Sequence, residues 1–147
     1  MAESRAKRMQ IVLTLADRRM QSAGQQVQDW RAQVTAEQEQ LQQLEEYTAQ
    51  YLQVYSTRKT GLYAQEMITY SDFIRRLDHA RSEQLAKLQR VRQQYELSLE
   101  QWRVSHRRRD AIAEMIGRLQ KEDNDVLEQR LQKELDELAA QQFQRKI

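Results

Sequence analysis

Two histidines, His79 and His106, are the side chains best suited to acid–base or metal chemistry in this sequence. They lie far apart along the chain, and neither forms a convincing metal site with a carboxylate one helical turn away. His79 directly follows Asp78, a position typical of a solvated helix residue. Cysteine is absent, so neither a disulfide nor a thiolate metal site can form. We therefore predict that the chain binds no metal.

The motifs of catalysis are missing as well. Gly24, Gly61 and Gly117 are isolated from one another, whereas a phosphate-binding loop needs several glycines close together. Hydrophobic residues make up 39% of the chain, which is thin for a globular core that could enclose a pocket. We predict no catalytic residue, no cofactor and no enzymatic activity; if ATP is hydrolysed, a partner hydrolyses it.

Tyrosine is the remaining residue type with functional potential, and its distribution is uneven. Tyrosine combines an apolar ring with a polar hydroxyl, and it is enriched where one protein docks on another. The segment Glu45–Phe73 is therefore either a locally thickened core or an exposed aromatic patch. It contains five of the six tyrosines: Tyr47, Tyr51, Tyr55, Tyr63 and Tyr70.

The elements that position these residues follow from the apolar periodicity. From Leu13 to Tyr55, alternate steps of three and four residues meet only two polar side chains, Glu37 and Thr48. This spacing predicts a helix, over about residues 4–56, with the seam of a left-handed coiled coil. The predicted seam positions are Leu13, Ala16, Met20, Ala23, Val27, Trp30, Val34, Glu37, Leu41, Leu44, Thr48, Tyr51 and Tyr55.

The polar segment Ser56–Gly61 interrupts this pattern and ends in glycine, the residue that most readily adopts a left-handed, helix-ending conformation. We predict a bend over about residues 57–65. Helical spacing resumes at Met67 and predicts a second helix over about residues 66–143. The apolar stripe changes phase after Lys121–Asp125, which indicates a stutter or a local break there.

Two long helices joined by a short connection are expected to pack antiparallel. The predicted fold is all-α, a long antiparallel two-helix coiled coil that forms one domain over residues 1–147. With the bend centred near Leu62, facing residues have numbers that add to about 124, which places Trp30 beside Tyr95. Roughly the last 25 residues then extend past the first helix and need a partner for their stripe. This stripe consists of Leu127, Leu131, Leu135 and Leu138.

The same pairing rule brings cationic residues of both helices together. A solvated charged face is the simpler interpretation of this group, and a docking band for an acidic partner is the alternative. Specific nucleic-acid recognition is disfavoured, because stacking aromatics are missing there and the net charge of the chain is only +2. We call the group the basic collar: Arg18, Arg19, Arg103, Arg107, Arg108 and Arg109.

Two segments around the predicted bend, EQLQQLEEYTAQY and ITYSDFIRRLDHA, resemble the FliJ family of bacterial flagellar export proteins. The resemblance implies a component of the flagellar type III export machine that is similar to the central stalk of rotary ATPases. The implied partners are a hexameric export ATPase, the cytoplasmic part of the membrane export gate, and export chaperones. The implied location is the cytoplasm, at the cytoplasmic face of the inner membrane, without insertion into it.

The resemblance also implies a surface patch near the bend, and the pairing rule separately places its members opposite one another. We expect Tyr47 and Phe73, which lie beside the seam, to dock a partner, and Tyr51 and Leu77 to be mainly structural. Gln84 stands where the family often carries a histidine, so its part in the patch is open. We call the seven implied residues the hairpin patch: Gln40, Leu44, Tyr47, Tyr51, Phe73, Leu77 and Ala80.

Two other function classes remain as alternatives. A generic coiled-coil scaffold would give the hairpin patch no role that other surface positions lack. A basic nucleic-acid-binding coil would show steep salt dependence and would lose binding when the collar arginines change. A secreted or membrane protein is disfavoured, because Asp17 and two arginines interrupt the short apolar run near the start, and no stretch approaches the ~20 apolar residues of a span.

Overall fold

The computed structural model describes residues 4–58 and 63–146. They form two long helices, α1 (Arg5–Arg58) and α2 (Ala64–Lys146), which pack against each other, and the described residues contain no strand. The predicted all-α fold, a hairpin of two helices, is confirmed. The centre of the predicted bend, including Gly61 and Leu62, lies outside the described residues.

Local hydrogen bonds fix the start of α1 and satisfy the threonines inside the helices. The Ser4 hydroxyl accepts a bond from the Lys7 amide at 3.2 Å, as an N-cap serine does at the start of a helix. Threonine hydroxyls inside the helices donate to the carbonyl one turn earlier, as Thr48 does to Leu44 at 2.7 Å, so their polar groups are satisfied within the helix. The helix α2 runs through Lys121–Asp125 without interruption.

The burial pattern of α1 follows the predicted seam. None of the thirteen seam positions from Leu13 to Tyr55 is exposed. Between these two residues, every other side chain of α1 is exposed except Asp17, which makes an ion pair, and Gly24. The three–four spacing of the sequence therefore identified the face of α1 that packs on α2.

The chain divides into two compact units, and parts of both helices contribute to each. We call Ser22–Trp102 the hairpin unit, and Met1–Gln21 together with Arg103–Ile147 the terminal unit. The prediction that residues 1–147 form one coiled-coil domain stays a prediction.

The core of the hairpin unit is a narrow line of apolar side chains along α2, in which Leu77, Leu88 and Val91 are buried. Near one end of this unit, a Cβ atom added at Gly24 would lie 3.4 Å from Cδ1 and Nε1 of Trp102. The glycine therefore makes room for the indole where the helices meet. Trp30 and Tyr95 are both half-buried, and their contact stays a prediction.

In the terminal unit, the beginning of α1 packs on α2 through buried Ala6, Ala16 and Ile116. Every side chain described from Gln120 to Arg145 is exposed. We call this segment the overhang; its first residues, up to Asn124, lie beside the start of α1, and the later ones extend past it. No stretch within residues 4–58 or 63–146 is both long and apolar enough to cross a lipid bilayer.

Candidate partner-binding site

A ladder of aromatic rings crosses the seam of the hairpin unit near the bend. The ring of Tyr51 has its centroid 4.5 Å from that of Phe73 and 5.1 Å from that of Tyr70. Tyr55 extends the ladder, with its centroid 5.2 Å from Tyr70. Rings at such separations attract each other beyond their area burial. The clustering of tyrosine in the sequence thus produces a stiff aromatic core.

Tyr47 is the exposed end of this ladder. Its ring meets the Phe73 ring edge-on, with the centroids 6.5 Å apart and the planes at 75°. Tyr47 lies one position before the seam residue Thr48, on the flank of α1, and 51% of its surface is exposed. Phe73 holds one edge of the Tyr47 ring in place, so the rest of the ring is presented to solvent in a defined orientation.

The other members of the hairpin patch differ in exposure. Gln40 is exposed, and it lies one heptad before Tyr47 on the same flank of α1. Leu44 and Ala80 are half-buried. Leu77 is buried, with 8% of its surface exposed, so it supports the patch from beneath. The surface available to a partner is therefore centred on Tyr47 and Gln40, with the partly covered Phe73 behind them.

Burial also affects the chemistry of the ladder. The pKa of Tyr51 is raised, mainly because the packed rings remove water from its hydroxyl, with smaller contributions from Tyr70 and Tyr47. The hydroxyl of Tyr51 therefore stays protonated and neutral throughout the physiological pH range. A neutral hydroxyl at Tyr51 is compatible with docking of an apolar partner surface nearby.

A polar cluster crosses the seam next to the hairpin patch, and sequence reasoning missed it. The amide nitrogen of Gln84 donates to the backbone oxygen of Glu37 at 3.1 Å and to its carboxylate. The Lys87 ammonium lies 3.2 Å from the other carboxylate oxygen of Glu37, a side chain that is only 12% exposed. The pKa of Glu37 is lowered, chiefly by the bond from Gln84; burial opposes this shift and Lys87 adds to it.

The signal for this cluster was present in the sequence. Glu37 occupies a seam position, and a partly buried carboxylate needs a partner across the seam. The pairing rule places Glu37 opposite Lys87. Gln84, whose part in the patch was open, is engaged in holding Glu37.

The residues of the basic collar belong to the terminal unit. Arg109 occupies a half-buried position, where its Nε donates to Asp17 Oδ1 at 2.8 Å and its Nη1 donates to Asp110 Oδ1 at 3.1 Å. These bonds, the one to Asp17 first, raise the pKa of Arg109. Arg109 therefore connects the helices. The remaining collar residues are exposed: Arg18, Arg19, Arg103, Arg107 and Arg108.

Comparison with known proteins decides which family this helical pair belongs to. The family model of the flagellar FliJ protein matches residues 5–147, almost the whole chain. The chain belongs to the FliJ family. The resemblance seen around the bend is thereby confirmed and extends to both helices. Neither a curated protein nor a solved structure matches the sequence.

Membership places this FliJ-family chain among the components of the flagellar export apparatus, and therefore in protein transport. The FliJ family is one of export components and is not known as a family of enzymes.

Each histidine of this FliJ-family chain has a carboxylate neighbour one helical turn further along α2. His79 Nε2 lies 3.1 Å from Glu83 Oε1, and His106 Nδ1 lies 3.2 Å from Asp110 Oδ2. Each pair spans one helical turn on an accessible surface. Two side chains do not make a metal site, and the described part of the chain contains no group of three such ligands.

A second feature that the sequence reasoning missed is the outer face of α1 in the terminal unit. Ile11 and Leu15 lie one helical turn apart, on the side opposite the seam, and they are 64% and 50% exposed. Exposed cations flank them on both sides, so the face combines an apolar centre with a positive border: Lys7, Arg8, Arg18 and Arg19. The apolar periodicity described only the face of α1 that packs on α2, so the outer face was not considered.

Proposed function

We propose that this FliJ-family chain is a stalk that links the hexameric export ATPase to the cytoplasmic part of the membrane export gate, and that it escorts export chaperones. The chain acts as a stiff connection that binds its partners, and the ATPase carries out the chemistry. It acts in the cytoplasm, at the cytoplasmic face of the inner membrane. The observation that carries the proposal is the half-exposed Tyr47 ring, held edge-on against Phe73 beside the seam.

The chemistry of Tyr47 suits a central anchor of a protein interface. A tyrosine offers a large apolar ring and a hydroxyl, and it loses little side-chain entropy because Phe73 already fixes one edge of the ring. Gln40 adds hydrogen-bonding groups on the same flank. In the proposal, the gate covers this flank and the seam residues Tyr51 and Leu77 keep it stiff.

The terminal unit supports contact with the ATPase. The overhang carries four exposed leucines, and the outer face of α1 carries Ile11 and Leu15 among cations. Apolar surface of this extent in water favours a partner. In the proposal, the ends of the two helices enter the ATPase ring through these faces, and the exposed arginines of the basic collar meet acidic side chains of the ring.

The experiment that tests the proposal measures binding of the purified full-length chain to two purified partners, the cytoplasmic part of the gate and the ATPase. We expect both to bind, through different ends of the hairpin. Alanine at Tyr47 should weaken only the gate complex, and loss of the overhang should weaken only the ATPase complex. A generic scaffold predicts instead that Tyr47→Ala behaves like Leu97→Ala, a control at an exposed apolar position outside the patch.

A further inference from the structure

The overhang presents one apolar stripe that the described residues of the chain leave exposed. Its leucines, at positions 127, 131, 135 and 138, are between 54% and 60% exposed. The spacings of four, four and three residues place all of them on one side of α2. The start of α1 lies beside α2 as far as about Asn124, so the leucine stripe extends past the described part of α1 and is open to an occupant from outside this chain.

The charges beside the stripe indicate which occupant fits. Along one border, at nearly heptad spacing, the sequence carries an acid, a base, an acid and a base. From the C-terminal end back toward the N-terminal end, the order of charges on this border is base, acid, base, acid. A second copy of the same helix, laid antiparallel, therefore presents the opposite charge at each point. The border residues are Asp123, Arg130, Glu137 and Arg145, and all four are exposed.

The apolar and charged patterns share one centre. In an antiparallel pair the same borders of the two helices face each other, so Arg130 of one copy meets Glu137 of the other, and Asp123 meets Arg145, which lies one residue past the heptad position. Arg130 and Glu137 are symmetric about the Lys133–Glu134 peptide, Asp123 and Arg145 about Glu134, and the leucine stripe is centred within about two residues of these points. Glu134 adds a second acid on the same border, within reach of the other copy's Arg130.

We propose that the overhang is a self-association surface, on which a second copy of this chain pairs antiparallel around a two-fold axis near Lys133–Glu134. The interface is isologous, so each contact occurs twice and the pair closes without leading to fibres. It covers roughly 20 residues of each helix, or about 30 Å, which is small for a protein interface. The pairing is therefore reversible and depends on protein concentration. The stripe is the same one that the proposed stalk function assigns to the ATPase, so the two uses exclude each other, and the dimer is the form of the chain that is not bound to the ATPase.

The test is sedimentation equilibrium of the full-length chain over a wide concentration range at low salt. We expect the wild type to change from monomer to dimer as concentration rises. Leu131→Asp should remain a monomer throughout, because it places a charge in the centre of the stripe. Leu97→Asp, at an exposed apolar position of the hairpin unit, is the matched control and should dimerise like the wild type. Circular dichroism should show equal helix content in all of them.

Charge reversal tests the antiparallel register itself. Arg130→Glu leaves acids at both positions of the central pair, and Glu137→Arg leaves bases at both, so each variant alone should lose dimerisation. Mixed in equal amounts they should pair with each other, and the double variant should pair with itself. A wild type that stays monomeric at the highest concentration overturns the proposal. So does a dimer that ignores Leu131→Asp, or a mixture of the single variants that fails to associate.

Discussion

The side-chain amide of Gln84 on α2 donates two hydrogen bonds to Glu37 on α1, one to the backbone oxygen of Glu37 and one to its carboxylate. Glu37 is a charged residue at a position where a coiled coil normally places an apolar one. A polar contact across the seam favours the register in which both partners are satisfied, because any slip leaves a half-buried carboxylate without its donors. The contact therefore helps to align the two helices beside the hairpin patch.

Removal of this contact should loosen the hairpin unit. We expect Gln84→Ala to lower the melting temperature by a few degrees, because the Glu37 carboxylate loses its closest donor. The matched control is Gln94→Ala, an exposed glutamine on the same helix, which should change the melting temperature little. Thermal unfolding followed by circular dichroism makes the comparison. Equal melting of the two variants would show that the contact has no structural value.

The pH dependence of stability should report the same cluster. The folded-state pKa of Glu37 lies below its ordinary value of 4.5, so the stability from this group is complete above that value and is lost as pH falls through the folded pKa. The difference in unfolding free energy between wild type and Glu37→Gln should stay constant down to about pH 5 and shrink at lower pH. Denaturant titrations at several pH values measure this, with exposed Glu39→Gln as control. A difference that grows on acidification contradicts the assignment.

The two described glycines should respond differently to alanine. A Cβ atom at Gly117 meets nothing within 4 Å, so Gly117→Ala should raise stability by about 0.5–1 kcal/mol through helix propensity alone. At Gly24 the same methyl group meets the Trp102 indole at 3.4 Å, so its gain should be smaller or become a loss. Chemical denaturation of both variants provides the measurement. An equal gain at both sites would show that the indole moves aside at no cost.

Residue spacing predicted the seam of α1 because an apolar helix face repeats in sequence with a fixed period. The seam of α2 was predicted less completely, because three of its covered positions are polar and were not assigned to it. Gln84 and Arg109 are half-buried, and Ser98 is buried. Arg109 was interpreted as part of a charged collar, whereas it bonds Asp17 across the helices. A search for apolar periodicity does not mark polar seam positions, although helical spacing and the pairing rule together could have identified them.

The membership of the hairpin patch stays a prediction, whereas the exposure of its α1 residues follows the predicted seam: Gln40 and Tyr47 are exposed, and Leu44 and Tyr51 are not. The pairing rule brought Tyr51 opposite Phe73, and the rings are in contact. It also placed Tyr47 opposite Leu77, which stays a prediction, and the Tyr47 ring meets Phe73 edge-on. Which rings meet depends on the rotation of each helix about its axis and on side-chain rotamers, and a repeat of seven residues does not encode the rotamers.

Deletion of the residues after Asp125 should weaken the contact with the ATPase and leave the contact with the gate unchanged. These residues extend past the start of α1, so their removal should leave the packing of α1 on α2 intact and the hairpin helical. Stimulation of the export ATPase and binding to its ring should weaken, while affinity for the gate should be unchanged. ATPase assays with the full-length and shortened chains test this. Undiminished stimulation by the shortened chain would contradict docking through the overhang.

Leu77→Ala should identify the structural part of the patch. Leu77 is buried beneath the rings, and loss of a buried leucine typically costs about 2–5 kcal/mol of unfolding free energy. A hairpin of two helices has little stability to lose, so the variant should unfold at a clearly lower temperature. At a temperature where it is still folded, it should bind the gate nearly as well as the wild type. A variant that melts normally but fails to bind would assign Leu77 to the interface.

The central claim is that Tyr47 docks the export gate, and its most direct test is one pair of measurements on Tyr47→Ala. The affinity for the gate's cytoplasmic part should fall by about 30-fold or more, as expected for an interface anchor worth at least ~2 kcal/mol. The unfolding free energy should fall by less than about 1 kcal/mol, because the ring is half-exposed and beside the seam. A variant that melts far earlier, yet binds the gate normally once folded, would make Tyr47 a core residue and contradict the claim.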